Sequence, residues 1–178
     1  MSDSSITKKA FADALKRLMK KNGFDKVSVS DICSECGMNR KSFYYHFRDK
    51  YDLVNWIFYE DLIDRLSVAD YEDGWDMLYD ICSKFYEDKD FYADALMIEG
   101  QNSFRSYVLE TIRPIVSFFI KDAFQDRADE EFLFRYFGES GLYAVMCWLR
   151  GEEDMTPELF VENIKKVSSG IAAMVIKE

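Results

Sequence analysis

The sequence predicts an all-α protein. Its 178 residues include only two prolines and eight glycines, and no long stretch alternates apolar and polar residues as a half-buried strand would. Apolar residues instead recur three and four positions apart, which is the period of an amphipathic helix. Hydrophobic residues make up 48% of the chain, so it can bury a good core as one or two small domains.

The segment from Val27 to Lys50 has the pattern of two short helices joined by a tight turn. Ser28 can cap the first helix, with Asp31 three residues later as its reciprocal partner in a capping box. Gly37 suits the left-handed conformation that ends a helix and lets the chain reverse. Asn39 is a favourable N-cap for the second helix. The segment is therefore expected to form a helix-turn-helix.

The second of these helices carries an unusual set of polar side chains. Phe43 and Phe47 lie four residues apart on one face and can anchor the helix in a core. Arg40 suits a bidentate contact with guanine and Asn39 one with adenine, while tyrosine and histidine suit phosphate oxygens. The residues of this helix expected to contact DNA are Asn39, Arg40, Lys41, Ser42, Tyr44, Tyr45 and His46.

The run from Phe11 to Leu53 resembles the DNA-binding domain of the TetR family of transcriptional regulators. The matching residues are Val29, Asp31, Ile32, Gly37, Met38, Phe43, Tyr44, His46, Phe47, Lys50 and Leu53. Within that family, FYYHFRDKYDLVNWIFYEDL and EGQNSF are similar to the group containing the activator of bacterial dihydroxyacetone kinase operons. The resemblance implies a DNA-binding domain, placed at residues 1–50, and a helical regulatory and dimerisation domain, placed at residues 51–178.

Three further residues are expected near DNA phosphates. In the resembled family the start of the first helix approaches a phosphate, and Lys8 lies at that start here, with a solvated surface as the alternative. Lys50 matches a family position that binds backbone phosphate. Ser28 and the N–H groups that follow it begin a helix, and helix starts favour anions.

Charge is divided unequally along the chain. Residues 1–50 contain 11 Lys or Arg and 6 Asp or Glu, a net charge of +5. Residues 51–178 contain 12 and 27, a net charge of −15. A basic N-terminal third on an acidic body indicates DNA bound at one end, because the acidic part is repelled by the duplex.

The remaining helices are rich in aromatic residues. The first helix of the chain is predicted at about residues 5–21. The remaining helices are predicted at about residues 50–66, 75–86, 91–98, 102–124 with Pro114 inside, 131–150 and 156–176. Because the resembled family binds small molecules among its middle helices, aromatic residues there are candidates for lining a ligand cavity, with plain core as the alternative. These candidates are Trp56, Tyr59, Tyr79, Phe85, Tyr86, Phe104, Tyr107 and Phe119.

The last two helices are suited to dimerisation. Residues 131–150 are apolar on nearly all sides, and the final helix begins with Thr156 as a cap followed by Pro157. Two copies of this pair can form a four-helix interface, which is where the resembled family dimerises. A monomer that uses the same residues for its own core is the alternative.

Catalysis and metal binding are not expected. The only histidine, His46, is already placed on the DNA-contacting helix, and the GESG at 138–141 lacks the spacing of a nucleophile elbow. Cys33 and Cys36 form a C-x-x-C without a second Cys or His pair at a metal-site distance, so no metal or cofactor is assigned. The sequence has no apolar run of 18 residues and no signal-peptide pattern, which indicates a cytoplasmic protein rather than a membrane protein.

Together these features predict a homodimeric transcriptional regulator that binds double-stranded DNA at a palindromic operator. An unidentified small molecule or protein bound to the C-terminal domain is expected to control its DNA affinity. Two alternatives are a transcriptional activator that acts through a protein partner and a helical adaptor that does not bind DNA. The donor-rich residues 39–50 argue against the adaptor.

Overall fold

The computed structural model describes residues 3–67, 70–99, 103–124, 129–151 and 155–175, and every regular element within them is helical. The predicted all-α class is confirmed. The helices are α1 Asp3–Asn22, α2 Val29–Glu35, α3 Arg40–His46, α4 Lys50–Asp61, α5 Gly74–Glu87, α6 Lys89–Ala95, α7 Phe104–Phe124, α8 Glu130–Phe134, α9 Ser140–Arg150 and α10 Pro157–Val175. Over these described ranges, none of the helices has the length and apolar character needed to cross a membrane.

The helix-turn-helix forms through the local interactions that the sequence predicts. Ser28 Oγ accepts the Asp31 N–H at 3.2 Å, and Asp31 Oδ2 accepts the Ser28 N–H at 2.9 Å, which completes the capping box. Gly37 has a φ of 69° in the turn after α2. Asn39 Oδ1 accepts the Ser42 N–H at 2.8 Å and caps α3.

Two predicted helices differ most from those in the structure. The helix expected over residues 50–66 ends at Asp61, and a 3₁₀ turn follows over Ile63–Arg65. Asp61 and Asp64 place negative charge at the negative end of the helix dipole, which opposes a longer α4. The helix expected over residues 131–150 contains a π-helical turn, Arg135–Glu139, between α8 and α9. Buried Gly138 makes room there for the Phe134 ring, because an added Cβ would lie 3.0 Å from that ring.

The chain contains two compact units. Unit 1 consists of Met1–Arg65 and Asp90–Glu110, and unit 2 consists of Leu66–Lys89 and Thr111–Glu178. The predicted domains, residues 1–50 and 51–178, describe a division of function and stay a prediction. The compact units divide the chain elsewhere, since α4, α6 and the start of α7 belong with the N-terminal helices.

Unit 1 is held together by an aromatic core and a polar cluster. The Phe11 ring packs edge to face against Phe43, with their centroids 5.2 Å apart. In the polar cluster, Lys16 Nζ of α1 donates to Asp61 Oδ2 at 2.8 Å, and the Tyr92 hydroxyl of α6 donates to the same oxygen at 3.4 Å. One carboxylate at the end of α4 therefore binds side chains from two other helices.

Unit 2 is built around Trp148 of α9. Its indole stacks on Tyr86 of α5, with centroids 5.5 Å apart and an interplanar angle of 11°. On the other side it stacks on Phe160 of α10, at 4.4 Å and 10°. Trp148 Nε1 also donates to the Met155 carbonyl oxygen at 2.8 Å. This three-ring stack joins α5, α9 and α10.

Candidate nucleic-acid interface

Helix α3 is anchored by one face and exposed on the other. Phe43 is 0% exposed and Phe47 is 3% exposed, as the sequence predicts for the two anchors. Their ring centroids lie 5.2 Å and 6.4 Å from that of Phe11 in α1. Burying two phenylalanine side chains on one short helix fixes how the helix lies on unit 1, so its remaining faces have a defined direction.

The exposed face of α3 carries four of the side chains predicted to contact DNA. Lys41 and Tyr45 are one helical turn apart, on the side opposite Phe43, and Tyr45 is 82% exposed. Arg40 and Tyr44 lie beside this line, on one side of it, and are also exposed. The face thus presents two cations and two phenol groups to solvent, the kinds of side chain that bind base edges and phosphates.

Asn39 and Ser42 lie at the start of α3, where the N-cap hydrogen bond uses the side-chain oxygen of Asn39 and the N–H of Ser42. A bidentate contact with adenine needs both the oxygen and the NH₂ group of an asparagine side chain. Here the Asn39 oxygen already accepts the Ser42 N–H at 2.8 Å, while the NH₂ group is available as a donor. An adenine contact through both groups would compete with the cap. Ser42 itself is half-buried.

The start of α2, where Ser28 was expected to hold a phosphate, already contains a carboxylate. The Ser28 hydroxyl and N–H both donate to Asp31 Oδ2, at 2.6 Å and 2.9 Å. These hydrogen bonds hold the pKa of Asp31 below its usual value. A phosphate at this position would be repelled by the Asp31 charge, so the geometry gives Ser28 a capping role and its phosphate contact stays a prediction.

Lys8, Trp56 and His46 lie near one another beside the end of α3. Lys8 Nζ is 5.4 Å from the centroid of the Trp56 ring, which lies 5.6 Å from the Phe47 ring. His46 is half-buried. Burial, together with the positive charge of Lys8, lowers the pKa of His46 below its ordinary value. Both effects favour the neutral imidazole in the protein without DNA.

Lys50 uses its ammonium group inside the protein. Nζ donates to the carbonyl oxygens of Phe24 at 2.8 Å and Val27 at 2.9 Å. It also lies 4.1 Å from the centroid of the Phe24 ring. An ammonium has three donor hydrogens, and these bonds use two of them. The expected contact between Lys50 and a phosphate stays a prediction, with one hydrogen left to make it.

Arg48 is a cation near α3 that the sequence reasoning missed. It follows the end of the helix, its side chain is 86% exposed, and its Nη2 lies 3.7 Å from Asp52 Oδ1. Exposed ion pairs of this kind are weak, so Asp52 does not prevent Arg48 from reaching another anion. A basic residue directly after the helix predicted to contact DNA was the signal that could have identified it.

The predicted ligand-binding residues belong to both units. Trp56, Tyr59, Phe104 and Tyr107 lie in unit 1, whereas Tyr79, Phe85 and Tyr86 lie in unit 2. In unit 1, Phe104 and Tyr107 both pack against Phe58, with centroids 5.5 Å and 6.1 Å from it. In unit 2, Phe85 is buried and the Tyr79 hydroxyl donates to Glu158 Oε1 at 2.8 Å. The Phe119 side chain is outside the described residues, and a ligand cavity stays a prediction.

The cysteines and acidic residues give no sign of a metal centre in the parts of the chain that the structure describes. Those parts contain no group of three His, Cys, Asp or Glu side chains placed to hold an ion. Cys33 is buried, Cys36 is half-buried, and both are free thiols. Burial raises the pKa of the Cys33 thiol, which keeps it protonated and poorly nucleophilic.

Comparisons with known proteins agree with this geometry. A sequence model described as bacterial regulatory proteins of the tetR family matches residues 12–57, which include the helix-turn-helix. A second, described as a transcriptional regulator C-terminal region, matches residues 73–170, more than half of the chain. The chain belongs to the TetR family. This TetR-family protein is a DNA-binding transcriptional regulator, and its family consists of regulators rather than enzymes.

Named relatives support the assignment. The HTH-type dhaKLM operon transcriptional activator DhaS of Lactococcus lactis subsp. lactis (strain IL1403) is 28% identical over 102 residues, 57% of this chain. The match spans 54% of that protein, about half of its length. A solved structure of the dihydroxyacetone kinase operon activator DhaS has a TM-score of 0.67 at 24% identity, covering 95% of this TetR-family chain and 97% of its own.

Two other solved structures share the fold at lower identity. A protein described as a TetR-family transcriptional regulator from Syntrophomonas wolfei str. Goettingen has a TM-score of 0.73 at 12% identity, with 95% of this chain and 96% of that chain covered. NalD of Pseudomonas aeruginosa, described as the secondary repressor of the MexAB-OprM multidrug efflux pump, has a TM-score of 0.68 at 18% identity. That comparison covers 93% of this chain and 94% of NalD. At these identities the structures show a common TetR fold.

Proposed function

We propose that this regulator binds a palindromic DNA site as a homodimer, with one copy of α3 in the major groove of each half-site. The observation that carries the proposal is the orientation of α3. Buried Phe43 and Phe47 fix the helix, and the exposed side presents Arg40, Lys41 and Tyr45. A two-fold dimer would place its two helices about one DNA turn, roughly 34 Å, apart. A bacterial chromosome lies in the cytoplasm, so a chromosomal target would place the protein there.

Arg40 is expected to read a base. Its replacement by alanine should cost about 1–3 kcal/mol of binding free energy at the preferred site and relax the preference at one base position. The measurement is fluorescence anisotropy with a duplex first selected from a random DNA pool, compared with single-base variants of that duplex. Arg65→Ala is the matched control, because Arg65 is an exposed arginine elsewhere in unit 1.

Two results would revise this assignment. An equal loss on every DNA sequence would mean that Arg40 binds a phosphate. Failure of the random pool to yield any enriched site would favour the helical adaptor, the alternative in which the protein does not bind DNA.

We place the dimer interface on α9 and α10. Tyr143 of α9 is 60% exposed and Val167 of α10 is 62% exposed, and Leu159 is exposed as well. Phe132 and Tyr136, which precede α9, are also exposed, and their rings lie nearly parallel with centroids 6.3 Å apart. Several large apolar side chains in water on adjoining helices are typical of a protein–protein interface. A second copy of the chain supplies a matching surface by two-fold symmetry.

Charged substitutions on this surface should separate the dimer. The double variant Tyr143→Asp and Val167→Asp would bury unpaired carboxylates in the interface, so we expect a monomer that keeps its helix content. Light scattering after size-exclusion chromatography gives the mass, and circular dichroism gives the helix content. Met97→Asp is the control, since Met97 is exposed but belongs to unit 1. A double variant that remains dimeric would place the interface elsewhere.

We further propose that a small molecule or a protein bound to the C-terminal domain controls DNA affinity. The aromatic residues of the middle helices support a small molecule. The named relative is an operon activator, which supports transcriptional activation as the second candidate and, with it, a protein partner. Thermal-shift screening of metabolites and co-purification with the full chain distinguish the two kinds of effector. Identical DNA affinity with every candidate would leave the aromatic residues as core.

A further inference from the structure

Lys50 occupies an unfavourable position for a cation. It is the first residue of α4, whose N-terminus carries the positive end of the helix dipole. It is also half-buried, and burial lowers the pKa of its ammonium group, although nearby Asp25 acts in the opposite direction. A lysine at such a position needs partners that offset these costs.

The partners of Lys50 come from the connection between α1 and α2. The Phe24 and Val27 carbonyls, which accept its two hydrogen bonds, bracket the 3₁₀ turn of this connection. Val27 directly precedes Ser28, the N-cap of α2. One ammonium therefore ties the start of α4 to the start of α2 across 23 and 26 residues of sequence.

Aromatic rings enclose the same ammonium. Lys50 Nζ faces the Phe24 ring at 4.1 Å and lies 5.9 Å from the Tyr51 ring. The two rings pack edge to face, with centroids 5.0 Å apart, and Phe24 is buried. A cation over an aromatic face is stabilised electrostatically, and more so when it is partly desolvated. The Lys50 ammonium thus has two carbonyl acceptors and two neighbouring aromatic rings, all within unit 1.

We propose that Lys50 is a positioning residue, which fixes the start of α2 against α4 and thereby sets the orientation of the helix-turn-helix, rather than a contact to a DNA phosphate. The proposal rests on the proposed DNA-binding function. The position of α3 depends on that of α2, because the two helices pack together. In the turn between them, the Met38 N–H donates to the Cys33 carbonyl at 2.9 Å. Displacing the start of α2 therefore displaces the DNA-contacting face.

Three variants of the full chain test the proposal. Lys50→Met keeps the aliphatic stem and removes the charge and the donors. Lys50→Arg keeps the charge, so it would preserve a phosphate contact, but the larger planar guanidinium does not fit between two carbonyls and a ring. Lys41→Met is the matched control on the exposed face of α3. Measurements are made at a temperature where circular dichroism shows all variants folded.

The first readout is amide hydrogen exchange at residues 27, 28, 31 and 32 without DNA. Both Lys50 variants are expected to speed exchange there by about tenfold or more, as loss of charged hydrogen bonds implies. Lys41→Met should leave these rates unchanged. Wild-type exchange rates in both Lys50 variants would overturn the proposal. Because no DNA is present, this result is independent of whether the proposed DNA-binding function holds.

The second readout is DNA binding as a function of salt, using the selected duplex and a scrambled duplex of the same length. Lys50→Met should keep the wild-type slope of log K against log salt but lose about tenfold in the ratio of selected to scrambled affinity. Lys41→Met should lower the slope by about one, as expected for one lost phosphate contact. A slope lowered by about one in Lys50→Met would make Lys50 a phosphate contact and overturn the proposal.

Discussion

Replacing Phe43 with alanine should destabilise unit 1 by about 3–5 kcal/mol, the usual cost of removing a fully buried phenylalanine. The ring is 0% exposed and packs against Phe11 and Phe47 at 5.2 Å and 5.7 Å. Whole domains are stable by only about 5–15 kcal/mol, so a loss of this size removes a large part of the total. Urea unfolding followed by circular dichroism measures the change, and DNA binding should be lost with the orientation of α3.

Tyr44→Ala is the control for this prediction, because Tyr44 is the next residue of the same helix and is exposed. Its stability should remain within about 0.5 kcal/mol of the wild type, as for most surface substitutions, while its DNA affinity falls. If Phe43→Ala unfolds at the same urea concentration as the wild type with an unchanged slope, Phe43 does not anchor α3.

Replacing Trp148 with alanine should cost a similar amount, about 3–5 kcal/mol, but in unit 2. The substitution removes the middle ring of the stack formed by Tyr86, Trp148 and Phe160, and with it the hydrogen bond to the Met155 carbonyl. Since this stack joins three helices, their packing should loosen together. Urea unfolding followed by circular dichroism is again suitable, because it does not depend on tryptophan fluorescence.

Trp148→Phe separates the ring from the hydrogen bond. It keeps an aromatic side chain between Tyr86 and Phe160 and loses the Nε1 donor, whose net contribution is about 0.5–1.5 kcal/mol. We therefore expect a smaller loss than for Trp148→Ala. Equal losses for the two variants would show that the hydrogen bond, rather than the stacking, carries the stability.

The helix-turn-helix was predictable because its determinants are local. Ser28 meets Asp31 and Asn39 meets Ser42 only three residues away, so residue type and spacing are enough to predict these caps. The φ of Gly37 follows from the need to reverse the chain within a few residues. The buried face of α3 was likewise visible in the spacing of Phe43 and Phe47.

Contacts between distant residues were not predictable in this way. Lys16 and Asp61 are separated by 45 residues, and the sequence offers many acidic residues as partners for any lysine. The two carbonyl acceptors of Lys50 are backbone atoms, which every residue has. Periodicity shows which face of a helix is buried but does not name the helix on the other side, so such pairs require the fold.

The aromatic residues of the middle helices show the same limit. Sequence grouped Tyr86 with Phe104 and Tyr107 because all three are aromatic and lie in one part of the chain. The structure places Tyr86 in the unit 2 stack, whereas Phe104 and Tyr107 pack on Phe58 in unit 1. The residue types show that these side chains are large and apolar. Which of the two cores each one joins depends on how α6 and α7 are packed.

The cap at Asn39 has a consequence for how the binding specificity of this regulator can change. One side chain both begins α3 and supplies an NH₂ donor at the end of the helix nearest the proposed base contacts. Aspartate or serine would still cap the helix but would lack that donor, and most other residues would weaken the helix itself. Sequence drift at this position is thus confined to a few residue types, and an altered operator preference is more easily acquired through Arg40 or Lys41.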